Sequence, residues 1–319
     1  MRMSIQRGVT EGARTFYASE SGKYGPFLDQ KMIRCLKRFF AVQLFPVTRR
    51  RSSTWQWRIY PDDVFLVSYT RSGNTWVRQM IALLKHPDLD LTKEQIHDYV
   101  PDPYYKPEAM DFVARPRVIK SHEQYTPEYR RVIYLYRDGR DCMVSWYDME
   151  TKLSGYKGRL DEFVLDCLSG SYGKWGSWQD HVRSWILVPH DIPILKVQYE
   201  GLCKKPYQCL KDIAIFLRLP VEDKKIEGAI HGSSKEVHQL FLRNNRSDIW
   251  GKGFQGGIKG GPGKWREVFS DKLLELYWEY AGDVMEELEY QREWARASEK
   301  VKCSINGDCN ELPKSANKS

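Results

Sequence analysis

The sequence predicts an α/β fold with a mainly parallel central sheet flanked by helices. Three observations predict it. Strand-like segments at 64–67, 117–120, 132–136 and 193–199 alternate with segments of helical periodicity, and strands separated by helices pair in parallel with helices on both faces. Val64-Phe-Leu-Val67 is apolar without interruption, as a strand buried on both faces must be. The residues with chemical potential, at 71–75, 120–122 and 137–145, all follow such strands, where open parallel sheets bind ligands.

Residues 1–58 read as a basic N-terminal extension. They hold 12 Lys+Arg against 3 Asp+Glu, which leaves 38 against 39 in the rest of the chain. The formal charge of +8 therefore belongs to the extension rather than to a folded basic face, and no nucleic-acid partner is expected. A partly amphipathic basic helix is expected over 33–44, and acidic residues Glu11, Glu20 and Asp29 dilute a transit-peptide pattern. From Val64 the chain reads strand, then the polar turn Thr70-Arg-Ser-Gly-Asn-Thr75, then a helix from Trp76, Met80, Ile81 and Leu84. This geometry aims backbone N–H groups and the positive end of a helix at one point, an anion site suited to phosphate or sulfate. The nucleotide-kinase loop G-x-x-x-x-G-K-[ST] is absent.

A short helix is expected over 92–99, followed by the Pro/Tyr-rich loop Pro101-Asp-Pro-Tyr-Tyr-Lys-Pro107. Strands at 117–120 and 132–136 follow, and Asp138 is placed to cap the next helix. Helices are expected over 160–168 and 177–187, a fourth strand at 193–199, and an amphipathic helix over 204–217. Two more fall near 222–230 and 234–242. Seven glycines between Gly251 and Gly263 mark a loop able to close on a ligand. The last helix spans 271–285. The body is thus 59–290, and 291–319 is a polar tail expected to be disordered.

The seven cysteines are scattered and lack zinc spacing, so reduced thiols, a cytoplasmic location and no metal are expected. No apolar run spans a membrane and no signal-peptide pattern opens the chain.

Four separated motifs in one order resemble the cytosolic-type sulfotransferases, P-loop-like three-layer α/β enzymes that use 3′-phosphoadenosine-5′-phosphosulfate (PAPS) and release 3′,5′-ADP. Tyr69-Thr-Arg-Ser-Gly-Asn-Thr-Trp76 resembles the family's Tyr-Pro-Lys-Ser-Gly-Thr-Thr-Trp. The resemblance implies that Ser72, Gly73, Asn74 and Thr75 hold the 5′-phosphosulfate and Trp76 stacks on adenine. It also implies a catalytic cation at Arg71, where the family has lysine. Lys120-Ser-His122 resembles Lys-Thr-His, with His122 as general base and Lys120 offsetting charge on the transferring group. Tyr136-Arg-Asp-Gly-Arg-Asp-Cys-Met-Val-Ser-Trp-Tyr147 resembles the 3′-phosphate motif, with Arg137 and Ser145 as ligands. Tyr199 matches a tyrosine beside the base.

In His231-Gly-Ser-Ser-Lys-Glu236 the family's stacking phenylalanine is Ser234. In Ile258-Lys-Gly-Gly-Pro-Gly-Lys-Trp265 Lys259 and Gly260 match a 3′-phosphate clamp, but the family's arginine is Ile258. Tyr99, Tyr104, Tyr105, Trp146, Tyr147 and Trp250 are candidate pocket walls. The implied reaction moves a sulfuryl group in line from PAPS to a hydroxyl or amine of a small-molecule acceptor, such as a natural product or other metabolite, without metal. A homodimer is compatible with the resemblance, although the family's short C-terminal dimer segment has no secure copy here. Two alternatives stay open: a phosphotransferase on the same loop architecture, and a non-catalytic PAPS or nucleotide binder.

Overall fold

The computed structural model describes residues 58–93, 95–244 and 261–292. The extension up to 57, the tail from 293, Trp250, Ile258, Lys259 and Gly260 lie outside the described residues. Four parallel strands form one sheet in the order β2-β1-β3-β4. They are β1 (Val64–Ser68), β2 (Val118–Ser121), β3 (Val132–Tyr136) and β4 (Ile194–Gln198). β1 is an inner strand and all five of its residues are buried, which is why its sequence is apolar rather than alternating. Its register sets Leu66 opposite Lys120 on one side and Ile133 on the other.

The turn after β1 runs into α1 (Asn74–Lys85) through two left-handed residues, Arg71 at φ 64° and Gly73 at φ 96°. Gly73 is required twice over. Its φ is costly for any residue with a Cβ, and a Cβ there would lie 2.7 Å from the Tyr199 ring. Val77, Met80, Ile81 and Leu84 of α1 then enter a core with Val64, Leu66, Ile133 and Leu135. The same core takes residues from α6 (Tyr199–Lys204), α7 (Pro206–Phe216), α8 (Asp223–Gly232) and α9 (Lys235–Asn244). On alternate strand positions Phe65 stacks on Tyr129 at 3.5 Å and Tyr134 meets Trp185 and His181, so the sheet buries both faces.

A second core joins α3 (Gly139–Leu153), α4 (Leu160–Leu168), α5 (Trp178–Val182) and α11 (Asp271–Glu287). Asp138 caps α3 as its position predicts, accepting from the Arg140 amide at 3.0 Å.

The structure departs from the sequence reading in several places. No α-helix occupies 92–99 among the described residues; a single 3₁₀ turn, Ile96–Asp98, stands there. Asp90 captures the amide and hydroxyl of Thr92 at 3.0 and 2.6 Å, a side-chain turn that competes with helix formation. The helix expected over 204–217 stands as Pro206–Phe216, and a separate helix, Tyr199–Lys204, precedes it where only the end of a strand was expected. Lys205 between them takes φ −135°, ψ 61°; the pyrrolidine ring of Pro206 excludes its neighbour from the helical region. The helix over 177–187 ends as α at Val182 and continues as a π turn, Arg183–Leu187. Two four-residue helices, α2 (Ala109–Phe112) and α10 (Trp265–Val268), have no sequence period to announce them. Arg117 is not in β2. It is buried against Asp63 in a two-pronged pair of 2.9 and 2.6 Å and donates to Met110 O, tying the start of β2 to the start of β1.

Candidate active site

A cavity of about 430 Å³ opens where β1 and β2 end and α1 begins, and is walled by α1, α3, α6 and α9. The first α1 amides, those of Asn74 and Thr75, have no carbonyl of their own helix to bond. With Gly73 they line the cavity and make an anion cradle at the positive helix end. The two polar side chains flanking Gly73 turn inward. The Ser72 hydroxyl lies 3.6 Å from the Cys142 thiol, and Asn74 Nδ2 donates to Leu66 O and Ser68 Oγ.

Arg71, Arg137 and Ser145 come together. Arg71 Nε donates to Ser145 Oγ at 3.1 Å, and its guanidinium reaches Met149 Sδ. Arg137 donates to Arg71 O at 3.1 Å and to Gly261 O at 2.8 Å, while its Nε is buried without a hydrogen-bond partner among the described residues. Burial, and then the neighbouring Arg137, pull Arg71 down to about 10, so it stays cationic at neutral pH. Two guanidinium groups and a hydroxyl on one wall form a site for a doubly charged anion. Asp141 accepts from the amides of Gly263 and Trp265, which anchors the end of the glycine-rich segment to the same helix.

Trp76 and Tyr199 stand on the adjoining wall, rings 6.0 Å apart and edge-on. Trp76 Nε1 donates to Ser233 O at 2.7 Å, which fixes the indole. The Arg137 guanidinium lies 4.4 Å over the Tyr199 ring.

The third group sits at the end of β2. Lys120 and His122 are two residues apart, so they leave the strand on one side, and both line the cavity. His122 Nδ1 is 2.7 Å from Ser68 O. A carbonyl only accepts, so Nδ1 carries the proton and Nε2 keeps a lone pair. Burial, then the charge on Lys120, hold His122 down to about 3, leaving the ring neutral. The carbonyl of His122 is itself held by His181 Nε2 at 3.0 Å, and His181 Nδ1 accepts from the Tyr134 hydroxyl at 2.8 Å. Tyr104 and Trp175 bracket the His122 ring at 6.4 and 5.6 Å.

Asp102, Arg78, His181 and Trp175 are absent from the sequence reading. Asp102 meets Lys120 Nζ at 2.5 Å and lies 4.0 Å from Arg78. Of the candidate walls, Tyr105 lines the cavity and Tyr104 hydrogen-bonds the His122 amide. Tyr99 packs against His86 instead. Trp146 and Tyr147 do not serve as expected: both rings turn onto Phe163 of α4. The reason is helical geometry, since Ser145 and Met149 share the cavity face and the next residues are rotated off it.

A parallel α/β sheet with a helix-end anion cradle, paired arginines and a neutral histidine beside a lysine suits the transfer of an anionic group. The comparisons then fix the family. Residues 61–289 match the sulfotransferase domain, and the chain belongs to that family of PAPS-dependent transferases. It is 26% identical to dog sulfotransferase 1B1 over 264 residues, 73% of this chain and 88% of the relative. It is 24% identical to rat sulfotransferase 1A1 over 268 residues, 77% and 89% of the two chains. Its fold is similar to that of mouse sulfotransferase SULT7A1 complexed with PAP, with TM-score 0.58 and 23% identity over 77% of this chain and 88% of that one. It is also similar to retinol dehydratase in a complex with retinol and PAP, with TM-score 0.55 and 19% identity over 73% and 83%. No helix among the described residues is long and apolar enough to cross a membrane.

Proposed function

We propose that this protein transfers a sulfuryl group from PAPS to a hydroxyl or amine of a small-molecule acceptor, with residues 59–290 as the catalytic unit. The observation that carries the reading is the fixed tautomer of His122: Nδ1 is committed to Ser68 O and Nε2 is left to take a proton at the cavity. The donor fits the residues present. Arg137, Ser145 and Arg71 would hold its 3′-phosphate, the α1 amides its 5′-phosphosulfate, and Trp76 and Tyr199 would lie along the base. Lys259 and Gly260 would add a clamp from the segment outside the described residues. The absence of a Cβ at Gly73 lets the Tyr199 ring pack directly against the turn, which sets that ring beside the cradle.

PAPS supplies the sulfuryl group and its phosphate leaves with the electron pair. The chain does the rest. His122 Nε2 accepts the acceptor's proton as its oxygen or nitrogen attacks sulfur. Lys120 and the α1 amides stabilise charge that develops during transfer, without reorganising at that moment. Arg71 engages Ser145, so its part is to grip the donor and balance its charge; a guanidinium is a poor proton donor. Relatives complexed with PAP, and in one case with retinol, support a nucleotide donor and a small-molecule acceptor.

The test is His122→Ala against wild type with sulfur-labelled PAPS and a panel of phenols, aliphatic alcohols and amines. The variant should bind 3′,5′-ADP normally and lose about 100-fold or more of turnover. Near-normal turnover rejects His122 as base. Donor binding by wild type without transfer to any acceptor would favour a non-catalytic binder, and EDTA-sensitive turnover of ATP a phosphotransferase.

A further inference from the structure

The lysine beside the proposed base does not stand alone in the cavity wall. The amide of Lys120 donates to Pro101 O at 3.0 Å, so the 97–104 loop lies directly against the end of β2. The next loop residue, Asp102, receives the ammonium at 2.5 Å. Its carboxylate is fixed in turn. Oδ1 accepts from the Tyr104 amide at 3.1 Å, and Oδ2 faces the Arg78 guanidinium at 4.0 Å. Arg78 is pinned by Val100 O, which takes both Nε and Nη2, and by His97 Nδ1 at 3.3 Å. The Arg78 and Asp102 side chains are only 3% and 7% exposed. A helix, a loop and a strand thus converge on one ammonium.

This arrangement has two physical consequences. A lysine stem has four rotatable bonds and a compact, mobile charge. Here one of its three donors is spent on Asp102, which sets the direction of the other two. The charges also order themselves: Arg78, Asp102 and Lys120 together carry one net positive charge next to His122. Without the carboxylate, two cations would face each other in a poorly solvated wall, and the cheapest relief would be loss of the lysine proton.

We propose that Asp102, braced by Arg78 and Tyr104, is a positioning residue that aims the ammonium of Lys120 at the transferring group and keeps it charged. The proposal rests on the sulfuryl-transfer reading for its role, and on the geometry of the cluster for its existence. The groups that face Lys120 are Asp102 and His97 on the loop, Arg78 on α1, His122 just past the end of β2, and Lys174 from the segment between α4 and α5. Burial pulls Lys120 down, Arg78 and Lys174 pull the same way, and Asp102 opposes them. His97 is held down to about 4 by burial and then by Arg78, so it adds no charge at neutral pH.

The experiment measures kcat, and KM for PAPS, from pH 6 to 10 for wild type, Asp102→Asn and Asp102→Glu. Asp102→Asn should lower kcat at pH 7.5 by about 10- to 100-fold with a smaller change in KM. It should also move the alkaline limb of kcat down by about one pH unit or more. Asp102→Glu should restore part of kcat and return the limb toward wild type. Loss of activity equal at every pH, with an unmoved limb, would make Asp102 merely structural and overturn the proposal; so would kcat within about twofold of wild type. A second arm does not use turnover. The ammonium of Lys120, carbon-13 methylated and assigned with Lys120→Arg, is titrated by NMR in wild type and Asp102→Asn. A lower midpoint in the variant supports the proposal, and an unchanged midpoint overturns it. If wild type transfers nothing from PAPS, the sulfuryl-transfer reading fails, and this arm still decides whether Asp102 governs Lys120.

Discussion

Replacing Gly73 with alanine tests how the nucleotide wall is built. The residue sits at φ 96°, where a Cβ costs about 1–2 kcal/mol. The new methyl would lie 2.7 Å from two carbons of the Tyr199 ring, so the ring must move. That ring is confined by the Arg137 guanidinium at 4.4 Å and by Trp76, and overpacking of this kind costs about 1–3 kcal/mol. The sum is about 2–5 kcal/mol, or a fall in Tm of about 5–15 °C for a domain of this size. Calorimetric titration with 3′,5′-ADP should show affinity at least about tenfold weaker, because the displaced ring enters the cavity. Tyr199→Ala removes what the methyl meets. In that background Gly73→Ala should cost only its backbone part, with a coupling of about 1–3 kcal/mol between the two changes. Additivity within about 0.5 kcal/mol would refute the close approach.

Further outcomes follow from the same geometry. Asp63→Ala leaves the buried Arg117 guanidinium without its pair and should destabilise by about 3–5 kcal/mol in chemical denaturation. Arg71→Ala should weaken 3′,5′-ADP binding and turnover together, because Arg71 is joined to Ser145; Arg71→Lys should restore much of the charge but not the two-pronged grip. His181 is fully buried, and burial holds it down to about 4. Its unfolded value is about 6.5, so below that pH the unfolded chain binds the extra proton and the folded chain does not. Its stability contribution is therefore complete above about pH 6.5 and is lost, by up to about 1.4 kcal/mol per pH unit, as pH falls toward the folded value. Denaturation at pH 7.5 and pH 5 should show a loss that His181→Gln reduces; identical pH dependence in the two proteins would contradict the assignment.

The strand, turn and helix from Val64 to Lys85 were legible because each announces itself locally: an unbroken apolar run, small turn residues, then helical spacing. His122, Arg137 and Ser145 were legible as residues of a resemblance, and the cavity holds all three. What joins them was not. Asp102 sits in a loop of prolines and tyrosines that has no period, and its meeting with Lys120 depends on the Pro101 carbonyl reaching β2. His181 reads as one more polar residue of a short helix, and only the fold brings its ring to the carbonyl of His122. Trp146 and Tyr147 show the opposite failure. Aromatic chemistry pointed to a pocket, but one turn of helical geometry from Ser145 would have placed both rings in the core against Phe163. The start of α7 at Pro206 was available from the sequence, since proline suits the first turn of a helix and restricts the residue before it.

Whether this cavity moves a sulfuryl group is decided by following the label. The protein is incubated with sulfur-labelled PAPS and a metabolite extract, without divalent metal, and products are resolved by mass spectrometry. An acceptor should gain SO₃ and label together with release of 3′,5′-ADP, in equal amounts, and both should be lost with His122→Ala. PAPS held by the protein with no labelled product from any fraction would contradict it.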